Sequence, residues 1–182
     1  WRGAAMTIGA PSAPGSFRSI LGSRRIPKFD SVKDEAILKR LPEEARGHVV
    51  QADLKAIGVT DYGSPEGGGL SLIFNGKPMT LARWPNEGFT KIVEEAGTEK
   101  VDIRGVKGTK EGRWVYDGER PSRWVGEPDA WVHGYWFWDW SDSYEKLESI
   151  VNEKRTFILS PPYHGYGYRK GQRFYALNLL AE

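Results

Sequence analysis

Asn75-Gly76 constrains the fold of this chain more than any other dipeptide in it. A two-residue type I′ hairpin turn needs positive φ at both central positions, which asparagine and glycine tolerate best. Counting outward pairs Phe74 with Lys77, Leu72 with Met79 and Leu70 with Leu81 on one face, while Ser71 meets Thr80 on the other. One apolar and one mixed face predicts a half-buried antiparallel sheet. Pro78 lacks the N–H a ladder needs, so its strand belongs at an edge.

The rest of the chain reads in the same idiom. After Phe89, short apolar runs at 101–103, 114–116 and 124–125 predict brief strands, with turns at Gly105, Gly108, Gly112 and Gly118. Strands are also expected over 49–54, 156–159 and 174–180, and a loop over 61–69. Helical content is slight. Ser31 and Asp34 frame a turn containing Ala36, Ile37, Leu38 and Leu41, Pro42 opens another that Gly47 closes, and 144–151 reads as a short helix. The expected fold is all-β, an antiparallel β-barrel or β-sandwich with one or two short helical turns. Residues 1–30 read as an irregular lead-in, with a strand near 17–21, and 31–182 as the β-rich domain.

Composition excludes several classes. The formal charge of +2 is spread without a basic stripe, which argues against a nucleic-acid partner. No apolar run is long enough for a membrane-spanning helix, so no membrane partner is expected. Without cysteine there is neither a disulfide nor a thiolate metal site. Gly76-Lys77 runs into Pro78 and makes no phosphate loop, and Gly165-x-Gly167 meets Lys170 where a dinucleotide fingerprint needs glycine. Asp139, Ser141 and Ser143 begin like a calcium loop, but Tyr144 and Ile150 replace its glycine and glutamate. His48, His133 and His164 have no metal-ligand spacing, so no cofactor is expected. A chain that opens on Trp1 reads as a piece of a longer one.

Eight tryptophans are the unusual number, and four of them lie within 131–140. If that stretch is extended, Trp136, Trp138 and Trp140 share one face and His133, Tyr135 and Phe137 the other. Such a strand is a stacking platform for sugar rings, or a strand whose indoles are buried in the core or at an interface with another domain. Glu127, Asp129, Asp139, Asp142 and Glu145 lie nearby, and glycoside hydrolysis needs only two carboxylates. The same acids serve equally as turn caps or indole acceptors. Residues 163–169 alternate glycine with tyrosine and end in arginine, which suits exposed contacts more than a core. Arg83-Trp84-Pro85-Asn86 is either a surface site or an arginine stacked on an aromatic ring to lock a strand exit.

Several segments, in order, resemble a known family. They are Ile37-Leu38-Lys39-Arg40-Leu41-Pro42-Glu43-Glu44-Ala45-Arg46, Leu81-Ala82-Arg83-Trp84-Pro85-Asn86, Gly134-Tyr135-Trp136-x-Trp138-Asp139-Trp140 and Arg173-Phe174-Tyr175-Ala176-Leu177-Asn178-Leu179-Leu180-Ala181-Glu182, joined by 53–63 and 74–78. From Ser31 onward the chain resembles the insertion domain of right-handed parallel β-helix glycoside hydrolases of the family 141 type. The resemblance implies a bacterial, secreted or periplasmic parent acting on plant-type polysaccharides, including fucosides and xylans. It places the catalytic carboxylates on the β-helix, outside this stretch, so no catalytic residue carries over. The domain would then be a non-catalytic, monomeric accessory domain that binds carbohydrate or walls one side of the parent's substrate cleft, with carbohydrate and the parent β-helix domain as partners. The candidate sugar contacts are Arg83, Trp84, Trp124, Tyr166, Tyr168 and Arg169. Two other readings stay open: an architectural spacer docked on the β-helix, and a free-standing hydrolase using Asp139 with Asp142 or Glu127.

Overall fold

The computed structural model describes residues 5–7 and 23–182. The expected strand at 17–21 and most of the lead-in lie outside the described residues. The chain divides into two compact units, Trp1–Thr80 and Leu81–Glu182.

The first unit contains β1 (Ala5–Thr7), β2 (Asp30–Ser31), α1 (Glu35–Arg40), β3 (Val50–Gln51), β4 (Ser71–Phe74) and β5 (Lys77–Pro78). The Asn75-Gly76 hairpin forms in the expected register, Phe74 opposite Lys77, with φ of 50° and 75° at the turn. Met79 N donates to Leu72 O at 2.7 Å, and Pro78 occupies the edge strand of the order β1-β4-β5. β1 runs parallel to β4. The apolar face, by contrast, is open: Leu72, Phe74 and Met79 are 36%, 47% and 51% exposed. The unit gathers its small core elsewhere, around Ile26 and Val59 with Phe29, Ala52, Leu54, Ile57 and Leu70. Asp34, and not Ser31, caps α1, its carboxylate accepting from Ala36 N at 2.8 Å and Ile37 N at 3.4 Å. Ser31 is in β2, paired with β3. The strand expected over 49–54 shrinks to Val50–Gln51, because Asp53 turns the chain by accepting from Ala56 N at 3.1 Å.

The second unit is all-β and antiparallel. Its strands are β6 (Arg83–Trp84), β7 (Thr90–Lys91), β8 (Glu94–Glu95), β9 (Lys100–Ile103), β10 (Val106–Thr109), β11 (Arg113–Val115), β12 (Trp131–Gly134), β13 (Ser143–Val151), β14 (Thr156–Leu159) and β15 (Arg173–Leu177). The main sheet runs β6-β15-β12-β13-β14-β11-β8, with β7 also on β15, while β9 and β10 form a separate hairpin. β13 serves two leaves: its first half pairs with β12 and its second with β14, across a bulge between Leu147 and Ser149. A bulge bends its strand and sharpens the twist. The bend matters, because β11 and β15 are four strand steps apart, roughly 19 Å in a flat sheet at about 4.8 Å per step. Instead the rings of Trp114 and Phe174 are 5.3 Å apart. The leaves therefore fold over one another as a sandwich around Trp114, Trp124, Trp136, Phe157, Tyr168 and Phe174. Each such ring removes roughly 150–250 Å² of surface from water, and the hydrophobic effect of that burial is the main force holding the unit together.

Three expectations are corrected here. Residues 144–151 are strand β13, not a helix, because both of its edges are hydrogen-bonded into the sheet. Trp124 ends a short 3-10 turn, Arg120–Trp124, where a strand was expected. Gly108 is inside β10, not at a turn: a Cβ there would meet the Phe137 ring at 2.8 Å and the Tyr168 carbonyl even more closely. Its glycine is needed for close approach of backbone.

Candidate functional site

The tryptophan stretch does not stay extended. β12 ends at Gly134, and the chain then drops Trp136 and Phe137 into the core, both fully buried. Trp136 Nε1 donates to Ser143 Oγ at 2.9 Å, so the indole is anchored at its polar end. A turn closed by Ser141 N on Trp138 O at 3.2 Å leaves Trp138 half-buried and swings Trp140 outward. At 68% exposure, Trp140 is the most exposed large apolar side chain among the described residues.

Trp140 stands over a cavity of about 320 Å³ lined by Ile103, Arg104, Trp138, Trp140 and Tyr166. Tyr166, 38% exposed, meets Trp140 edge to face at a ring separation of 5.5 Å. Three segments build this wall, and each is fixed. The loop bearing the tryptophans is held by Arg169, whose backbone N donates to Trp136 O at 3.0 Å and whose Nε donates to Phe137 O at 2.5 Å. The loop bearing Tyr166 is held by paired Tyr168–Thr109 backbone bonds, both 2.8 Å, and by Lys110 Nζ on Gly165 O at 2.6 Å. The third segment is the tip of the β9–β10 hairpin, which carries Arg104.

His164 borders this loop. Its Nε2 is 3.2 Å from Ser141 Oγ, and its ring is 5.8 Å from that of Tyr166. Burial lowers its pKa below the ordinary 6.5, and nearby Lys110 adds to the lowering, against raising contributions from the Gly167 backbone and Asp142. The imidazole is therefore neutral at neutral pH.

The residues singled out from sequence fall in three places. Tyr166 lines the cavity, and Tyr168 and Arg169 support it from beneath. Tyr168 is fully buried, stacked on Trp114 at 5.5 Å, so the glycine–tyrosine segment does contribute to the core. Burial also drives the Tyr168 pKa well above that of an ordinary tyrosine, with the nearby Glu145 acting in the same direction. Trp124 is buried and donates to Glu182 Oε1 at 2.8 Å, while half-buried Trp84 packs on it at 5.6 Å. Arg83 is elsewhere again, its guanidinium 3.6 Å from the centre of the Tyr175 ring and donating to Pro85 O and Gly88 O. Trp124 and Tyr168 thus offer no ring face to a ligand, since a buried ring has no free side. Sequence reasoning missed Arg104 and Ile103. Their signal was the two-residue spacing between 101–103 and 106–109, which puts Arg104 at a hairpin tip.

The carboxylates near the aromatic stretch are occupied. Asp139 pairs with Arg173 at 2.8 Å, Asp142 lies 2.8 Å from His133 Nε2, and Asp129 pairs with Lys146 at 3.2 Å. Glu145 is buried and accepts from Ser143 Oγ at 2.8 Å. Among the described residues no group of three or more His, Asp or Glu could hold a metal ion, and no helix is long and apolar enough to cross a membrane. Comparison with known proteins returned no match: no family, no curated protein and no solved structure corresponds to this chain.

Proposed function

We propose that this chain is a non-catalytic, carbohydrate-binding accessory domain of a bacterial polysaccharide-degrading enzyme, inserted in a β-helix glycoside hydrolase of the family 141 type. The parent would be secreted or periplasmic and would carry the bond-breaking carboxylates itself. The observation that carries the reading is Trp140, an indole held 68% exposed at the mouth of a cavity that Trp138 and Tyr166 also line. A pyranose presents C–H groups on its faces and hydroxyls around its rim. Flat rings at a fixed angle satisfy the faces, and a surrounding polar rim satisfies the hydroxyls. Trp140 with Trp138 and Tyr166 makes a contiguous aromatic patch at a concave site, the kind of surface that marks a ligand groove. The engaged carboxylates support a binding role over a hydrolytic one.

The test is calorimetric titration of the chain with plant-type oligosaccharides, paired with Trp140→Ala. The variant is expected to bind at least about tenfold more weakly, the equivalent of ~1.4 kcal/mol, with an unchanged unfolding midpoint because the indole is outside the core. A Trp140→Ala protein that binds as tightly as the original, or a panel in which nothing binds, would remove the reading.

A further inference from the structure

The cavity holds a feature that stacking on a neutral sugar does not require. Arg104 and Gly105 form the two-residue turn between Ile103 and Val106, with φ of 56° and 82°. Both central positions of such a turn need positive φ, and glycine, asparagine and aspartate occupy them with least strain. Arginine in this region is disfavoured, and strained residues of this kind cluster at binding sites. The strain delivers a guanidinium to the wall of the aromatic cavity.

That guanidinium is exposed and has no hydrogen-bond or ion-pair partner among the described residues. Other arginines nearby are employed: Arg169 holds the Phe137 carbonyl and Arg173 the Asp139 carboxylate. The hairpin as a whole is net positive. The β9–β10 hairpin carries Lys100, Arg104 and Lys107 against Asp102, and Asp102 accepts from Gly105 N at 2.8 Å within the turn. Lys110 reaches the Gly165 carbonyl beside Tyr166. Asp139, the carboxylate of the tryptophan loop, is neutralised by Arg173.

Resting on the carbohydrate reading above, we infer that the Arg104–Trp138–Trp140–Tyr166 cavity selects anionic sugars, the indole covering the ring face and the guanidinium gripping its acid group. A planar carboxylate matches the two parallel N–H groups of a guanidinium and forms charge-assisted bonds of about twice the usual strength. Uronic acids and sulfated sugars share this requirement, and the test separates them.

Three matched oligosaccharides are titrated into the chain by calorimetry: an oligouronide, its methyl-esterified neutral form, and a sulfated oligomer of similar length. The oligouronide is expected to bind at least about tenfold more tightly than its ester, with affinity falling as salt rises. Arg104→Asn removes the cation while relieving the turn. It should lose the preference for the acid yet unfold at the same or a higher temperature, so that lost binding cannot be ascribed to misfolding. Arg104→Lys keeps the charge without the fork and should fall between them for a carboxylate. If the sulfated oligomer binds more tightly than the oligouronide, sulfate is the ligand group. Equal binding of acid and ester, or an unaltered preference in Arg104→Asn, overturns the inference. If Trp140→Ala still weakens all sugars in that case, the carbohydrate reading survives alone. If no oligomer binds, both fall.

Discussion

The chain contains two hairpins with the same turn geometry and opposite histories. At Asn75-Gly76 and at Arg104-Gly105 both central residues have positive φ, 50° and 75° in one, 56° and 82° in the other. The first uses residues that want this conformation, and its flanking apolar side chains remain open to solvent. The second carries an arginine at a position of poor local preference, yet its strands are backed by fully buried Thr109 and by backbone bonds to Tyr168. Local preference favours the first hairpin, whose β4 also pairs with β1. Tertiary support backs the second, and lets it hold a residue of poor turn preference.

The largest expected difference is steric. Gly108→Val in β10 should lower unfolding free energy by about 3 kcal/mol in denaturant titration, because the added methyl groups have no room beside Phe137 and the Tyr168 carbonyl. A loss below about 1 kcal/mol would mean that the hairpin is not packed as described. Exchanging turn chemistry should produce smaller, opposite effects. Asn75→Arg should destabilise by about 1 kcal/mol, and Arg104→Asn should stabilise by up to a similar amount. Two changes of the same sign would undo the comparison.

Acid should act on the cavity side. His164 has a lowered pKa when folded, so the unfolded chain binds the extra proton first. Stability attributable to this group is complete above about pH 6.5, the ordinary histidine value, and is lost as pH falls towards the lower folded pKa. Thermal melts across that range should decline for the original chain and flatten in His164→Asn. An identical slope in both would place the acid sensitivity at another group. The smallest effect belongs to the first hairpin: Leu72→Ser, at an exposed site, should change stability by no more than about 0.5 kcal/mol. A loss several times larger would show that its apolar face is covered in solution.

Much of the all-β fold was legible because it is local. Turn dipeptides, the proline in an edge strand and the run at 156–159 declare themselves through φ preference, a missing N–H and β-branched or aromatic content. β13 was not legible. Lys146 and Glu148 are exposed at alternate positions, the strand period, but the facing buried positions hold Glu145 as well as Leu147, so a charged residue on the inner face hides the apolar alternation that marks a strand. Of the candidate site, the sequence offers Tyr166 and the turn that carries Arg104, but not that they meet, since the cavity joins segments about 60 residues apart in the chain.

Sequence alone determined that this would be a β protein with tight turns, rich in indole and without cysteine chemistry. Only tertiary structure decided which indoles are core and which are surface. Trp136 and Trp140 have the same side chain four positions apart, and one is fully buried while the other is 68% exposed. The reason is that the chain leaves its strand at Gly134, so alternation stops assigning faces there. Beyond that residue, burial is set by carbonyls that Arg169 holds from another loop, and no local pattern encodes such a partner.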